Sequence, residues 1–110
     1  MMSELSNRFM SVIENTSTGT SLTGTIVVPA GCYFKGQVTF YFVSGGSNTS
    51  AGFSKSGVYV AILGPSAAVP AGSLYTQNIP IILNEGTYTL ASIQGGTSAT
   101  ASWHGLCFRK

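Results

Sequence analysis

Between Tyr33 and Val43, apolar and polar side chains alternate. Phe34, Val38, Phe40 and Phe42 share one face with Gly36, while Tyr33, Lys35, Gln37, Thr39 and Tyr41 share the other. A period of two residues marks a half-buried antiparallel strand. A second alternation sets Leu22, Gly24, Ile26 and Val28 against Thr23, Thr25 and Val27. It stops at Pro29-Ala30-Gly31, where a residue without an amide hydrogen and a glycine predict a turn. Further strands are predicted over Gly57 to Leu63, Leu74 to Leu83, Thr87 to Ile93 and Thr97 to Phe108, with Gly64-Pro65, Asn84-Glu85-Gly86 and Gln94-Gly95-Gly96 as the breaks. Pro80 cannot donate to a ladder, so it predicts an edge, a bulge or a change of sheet. Short strands with frequent turn signals and no helical run between them predict an all-β, antiparallel two-sheet sandwich or barrel.

The first 16 residues read two ways. Leu5, Phe9, Val12 and Ile13 have helical spacing behind Ser3, yet Phe9, Ser11 and Ile13 also alternate with Met10 and Val12 as a strand would. A strand or extended arm is the preferred reading. Burying the five apolar side chains Leu5, Phe9, Met10, Val12 and Ile13 contributes about 8 to 15 kcal/mol. Ordering the segment costs about 20 kcal/mol. The arm must therefore pair in a sheet or be held by a partner, which divides the chain into an arm or first strand over residues 1–16 and a β-sandwich domain over 17–110. Val28-Pro29-Ala30-Gly31 is echoed by Val69-Pro70-Ala71-Gly72, two similar turns ahead of aromatic-bearing strands rather than a repeat array.

At 110 residues the chain is long enough for one core. Its composition narrows the function further. Only 7% of residues are charged, while 44% are apolar, so Ser, Thr and Gly stand where charge would be. A net charge of +2 from scattered basic residues leaves no footprint for nucleic acid, and no apolar run is long enough for a membrane helix. No leader pattern is visible, so cytoplasmic synthesis is expected, with Cys32 and Cys107 as reduced, partly buried thiols.

The inventory for catalysis is thin. There is no Asp, the carboxylates are Glu4, Glu14 and Glu85, and His104 is the single imidazole. His104 with Cys32 or Cys107 lacks both the orienting acid of a nucleophilic dyad and the three or four ligands of a zinc site, so neither enzyme activity, metal nor cofactor is expected. Gly45 to Gly52 lacks the Gly-Lys-Ser/Thr ending of a phosphate loop and reads as a long hairpin loop. Phe53 at its end is either an exposed anchor or the first core residue of the next strand. Tyr33, Tyr41, Tyr59, Tyr75 and Trp103 could form a stacking platform for sugar, or ordinary packing and subunit contacts.

An isolated domain usually carries about 25 to 35% charge on its exterior and protects its strand edges with Lys or Pro. This chain does neither over Val38 to Val43, so much of its exterior is expected to be covered by other subunits.

In this texture the chain resembles the small jelly-roll decoration, or cement, proteins of tailed bacteriophages. The likeness lies in Val28-Pro29-Ala30-Gly31 followed by an aromatic strand, and in Asn84-Glu85-Gly86-Thr87-Tyr88-Thr89-Leu90 feeding the late strands. Size, low charge and Ser/Thr/Gly richness agree over most of the chain. The resemblance implies a jelly-roll sandwich that forms a symmetric oligomer, a dimer or trimer, and clamps neighbouring major capsid (coat) protein subunits on the virion surface, without catalysis. Leu5, Phe9 and Met10 of the arm, with Phe53 and Trp103, are the expected apolar anchors. Arg8 and Arg109 are expected to pair with acidic groups on the coat. Phage fibre heads and receptor-binding tips look similar, so recognition of a glycan or surface receptor by a tail tip is the alternative.

Overall fold

A computed structural model describes residues 8–46 and 48–110. The elements are β1 (Phe9–Gly19), β2 (Thr23–Val43), β3 (Thr49–Lys55), β4 (Val58–Leu63), β5 (Leu74–Gly95) and β6 (Ala99–Arg109). They hydrogen-bond as one six-stranded sheet in the order β1-β6-β2-β5-β3-β4, and every pairing is antiparallel. The chain is all-β, as the alternation predicts. Among the described residues no helix is long and apolar enough to cross a membrane.

Two predicted turns are bends within strands. β2 runs through Pro29-Ala30-Gly31, and β5 runs through Asn84-Glu85-Gly86. The interruptions lie opposite each other: Val28 pairs with Gly86 and Tyr33 with Asn84, so residues 29–32 of β2 face Glu85 alone. Surplus residues on one strand bend a sheet sharply, and Gly31 (φ +76°) supplies the left-handed backbone the bend requires. The Gly31 amide donates to Glu85 Oε1 at 3.3 Å, and the Lys110 amide to the Gly31 carbonyl at 2.9 Å, which fastens both sides of the bend. The echo at Val69 to Gly72 is a loop turn, with the Ser73 amide donating to the Pro70 carbonyl at 3.1 Å.

These bends fold the sheet over on itself. β1, β6, the Tyr33–Val43 part of β2 and the Leu74–Asn84 part of β5 form one half; the Thr23–Val28 part of β2, the later part of β5, β3 and β4 form the other. The halves face each other through Trp103 of β6, whose indole meets the Phe53 ring of β3 edge-on at 5.3 Å and lies directly over Gly24 of β2. β6 and β3 are separated by two strands in the sheet, so this contact arises from folding over and not from lateral pairing.

Interior side chains are matched in size across neighbouring strands. On β2 and β6, Phe42 is opposite Ala99, Phe40 opposite Ala101 and Phe34 opposite Cys107, while the large Trp103 faces Val38. Gly36 and Gly105 form a pair without side chains, and the Phe34 ring lies over both. The hydroxyl of Thr49, the one polar group deep in β3, donates to the Thr97 carbonyl and accepts from the Thr97 amide, both at 2.8 Å. Thr49 to Gly52 therefore belong to a strand and not to the expected long loop, since only Ser44 to Asn48 remain to link β2 and β3.

A Cβ at Gly36 or Gly105 would collide with backbone of the adjacent strand, so neither position can adapt by moving a side chain. We expect Gly36→Ala and Gly105→Ala each to lower stability by about 1–3 kcal/mol, seen as a lower urea midpoint at unchanged m.

Candidate functional site

The residues expected to anchor a partner fall into two groups. Phe53 and Trp103 are 0% and 1% exposed, so they are core side chains and cannot anchor anything outside the molecule. The alternation that puts Ala101 and Cys107 inside puts Trp103 there too, and Phe53 faces inward between Ala51 and the bulge that follows it. Leu5 lies outside the described residues. Arg8, Phe9, Met10 and Arg109, by contrast, are exposed and come together at one end of the β1-β6 ladder.

There Phe9 is opposite Phe108, with ring centroids 6.5 Å apart, and Phe108 is opposite Tyr33, with centroids 5.4 Å apart. A bulge at Met10 turns its thioether to accept from Arg109 Nε at 2.8 Å. The next row of outward side chains runs Val12, Leu106, Lys35, Ile82 across four strands, with Val12 56% and Ile82 69% exposed. The two rows make one continuous surface of aromatic and aliphatic groups. Arg8, Lys35, Arg109 and Lys110 border or cross it, four of the five basic residues in the chain.

Farther along the same face the chemistry changes to hydroxyls and amides. Glu14, His104, Gln37 and Pro80 form one row, and Thr16, Ser102, Thr39 and Asn78 the next. Thr16 and Ser102 hydroxyls lie 3.0 Å apart, and those of Thr18 and Thr100 3.1 Å apart, so much of this face satisfies itself. The sequence did not separate these two zones, because both derive from the polar positions of the same strands; only the strand register aligns Phe9, Phe108 and Tyr33.

The other candidate chemistry is not brought together. His104 lies on the outer face opposite Glu14, whereas Cys32 and Cys107 point into the core. Among the described residues no three His, Cys, Asp or Glu side chains converge. The five aromatics considered for a sugar platform are dispersed: Trp103 is in the core, Tyr75 packs on Phe40 and Phe42, Tyr59 covers Gly52 of the neighbouring strand β3, and Tyr33 and Tyr41 sit in separate rows.

No protein-family profile and no characterised protein matches the chain. Among solved structures, the chain is similar to a dimeric latent PorU from Porphyromonas gingivalis at 10% identity and a TM-score of 0.47, covering 93% of this chain and 13% of that one. It is also similar to a carbohydrate-binding module (CBM6cm-2) from Cellvibrio mixtus lichenase 5A, solved with cellotriose, at 13% identity and a TM-score of 0.38, covering 97% of this chain and 95% of that one.

Burial raises the pKa of Cys107 above the ordinary thiol value. A hydrogen bond with the Ser11 side chain opposes this shift, and the neighbouring Cys32 adds to it. The folded thiol thus holds its proton to higher pH than the unfolded one. Its contribution to stability is complete below the unfolded thiol's pKa and falls as pH rises beyond it. Folded protein at pH 8 should react with a thiol-specific chromogenic disulfide only as fast as it unfolds; prompt labelling of both cysteines would show that the β2-β6 end is open.

Proposed function

We propose that this chain is a structural, capsid-decorating protein that binds the outside of a phage shell and bridges coat subunits. The observation that carries the reading is the Phe9, Phe108, Tyr33, Val12, Leu106, Ile82 surface with its surrounding basic residues. A contiguous exposed apolar area rimmed by charge is the usual character of a protein-binding site. Aromatic and Met side chains supply contact area, and arginines at the rim select an acidic partner surface. The hydroxyl rows beside it add hydrogen-bonding capacity without desolvating charge. Many modest contacts of this kind, repeated around a shell, sum to firm attachment.

The same proposal reads the fold as a jelly roll. Divided at their bends, β2 and β5 count as two strands each, giving eight in all. The pairings of the first half then run first-eighth-third-sixth, and those of the second half second-seventh-fourth-fifth. That order is what a long antiparallel ribbon produces when it is wrapped into two facing sheets.

The test is co-sedimentation of the full chain with assembled coat shells. Arg8→Glu combined with Arg109→Glu should weaken binding by at least about tenfold, and binding of the unaltered chain should decrease with added salt. Undiminished binding by the double variant, with no response to salt, would overturn the assignment of this surface.

A further inference from the structure

The two cysteines are brought onto neighbouring strands of the core. In the β2-β6 register Cys32 is opposite Arg109 and Phe34 is opposite Cys107, so the cysteines are diagonal neighbours. Both point inward as free thiols, Cys32 3% and Cys107 0% exposed. Phe34, the side chain best placed to crowd them, leans the other way. Its ring tip lies over Gly36 and Gly105, on the side away from Cys32, and the bare glycine pair makes room for that tilt. Ser11 of β1, directly opposite Cys107, hydrogen-bonds its side chain. The two thiols also sense each other, since Cys32 adds to the raised pKa of Cys107.

We propose that Cys32 and Cys107 are a redox pair that closes to an intramolecular disulfide when the chain meets a low-molecular-weight disulfide such as oxidised glutathione, stapling β2 to β6. The chemistry is two successive exchanges. The thiolate of one cysteine attacks a sulfur of the small disulfide, forms a mixed disulfide and expels one small thiolate. The thiolate of the other cysteine then attacks the protein sulfur of that mixed bond, forms the Cys32–Cys107 bond and expels the second small thiolate. Two protein thiols are oxidised and one small disulfide is reduced to two thiols. The two protons lost by the cysteines are taken up by the expelled thiolates. A reducing compartment holds the pair open, and an oxidising one closes it.

The backbone around the pair permits the closure. Diagonal neighbours lie about 7–8 Å apart at Cα, with Cβ atoms closer, whereas a disulfide spans about 4.4–6.8 Å at Cα. A shift of about 1 Å must be absorbed. Cys32 ends the surplus segment 29–32, which faces Glu85 alone on its β5 side, and it follows Gly31, whose φ of +76° already departs from extended backbone. On the other strand, β6 ends at Arg109, two residues beyond Cys107. Both thiols therefore sit where the ladder is least constrained. The bond would join residues 32 and 107, and closing so long a loop removes more freedom from the unfolded chain than closing a short one. Cys32 adjoins Tyr33 and Cys107 adjoins Phe108, whose ring centroids are 5.4 Å apart, so the staple also fixes that outer pair from behind. It is a property of this end of the fold and holds whatever the outer face binds.

Equilibration of the full chain in glutathione redox buffer, approached from the reduced and from the oxidised side, tests this directly. The product should be a single chain that has lost two hydrogens in mass and carries no glutathione. The Cys32–Cys107 bond should be favoured in native buffer by at least about tenfold over the same chain held in denaturing urea. By linkage, the oxidised protein should unfold at a urea midpoint about 1 M higher than the reduced one. Cys32→Ala and Cys107→Ala should each abolish this product and its midpoint shift, leaving a single thiol or a single glutathione adduct. Glutathione on both cysteines, chains linked to one another, two thiols that persist at equilibrium in oxidised glutathione, or a bond no more favoured in the folded chain than in urea would overturn the proposal.

Discussion

The architecture depends on Trp103 resting over Gly24. A hydrogen-bonded sheet is stiff within its plane but has no preference for lying against itself, and something must hold the two halves together once the bends allow them to meet. The indole does this. It covers a position where only glycine leaves room and meets Phe53 edge-on, so one side chain joins β6 to β2 and β3 of the opposite half. The indole nitrogen has no hydrogen-bond partner among the described residues. A buried orphan donor costs about 1–3 kcal/mol, a cost offset by the large apolar area the same ring removes from water.

Around that contact the core is a problem of size. Large rings on β2 need small residues opposite them on β6, and where β6 carries its one large inward-facing residue, β2 carries a valine. The glycine pair at 36 and 105 extends the same rule to its limit, giving the Phe34 ring a floor made of backbone. The interior is thereby filled almost without polar atoms, with Ser44 and Thr49 as satisfied exceptions.

The exterior has two chemically distinct regions: an aromatic and aliphatic area with basic groups, and rows of hydroxyls and amides. Charge normally supplies the solubility of an exterior, and this chain carries only eight charged residues to do so.

Much of this was legible from period alone. Alternation over Tyr33 to Val43 assigned Phe34, Val38, Phe40 and Phe42 to the core, where they lie. That is a local property, since side-chain direction in a strand reverses at every residue whatever the strand pairs with. What local pattern could not supply was pairing. Pro29-Ala30-Gly31 and Asn84-Glu85-Gly86 look like turns in isolation, and become bends because each lies opposite the other in register, so hydrogen bonding resumes beyond them. Phe53 and Trp103 could be inside or outside until the fold-over placed them against each other. Phe9, Tyr33 and Phe108 are far apart in the chain, and they became neighbours only through β1-β6 and β6-β2 register. Sequence determined which way each side chain faces relative to its own strand; tertiary structure decided which strands lie side by side and which faces are covered, because those depend on contacts between distant residues that no local period encodes.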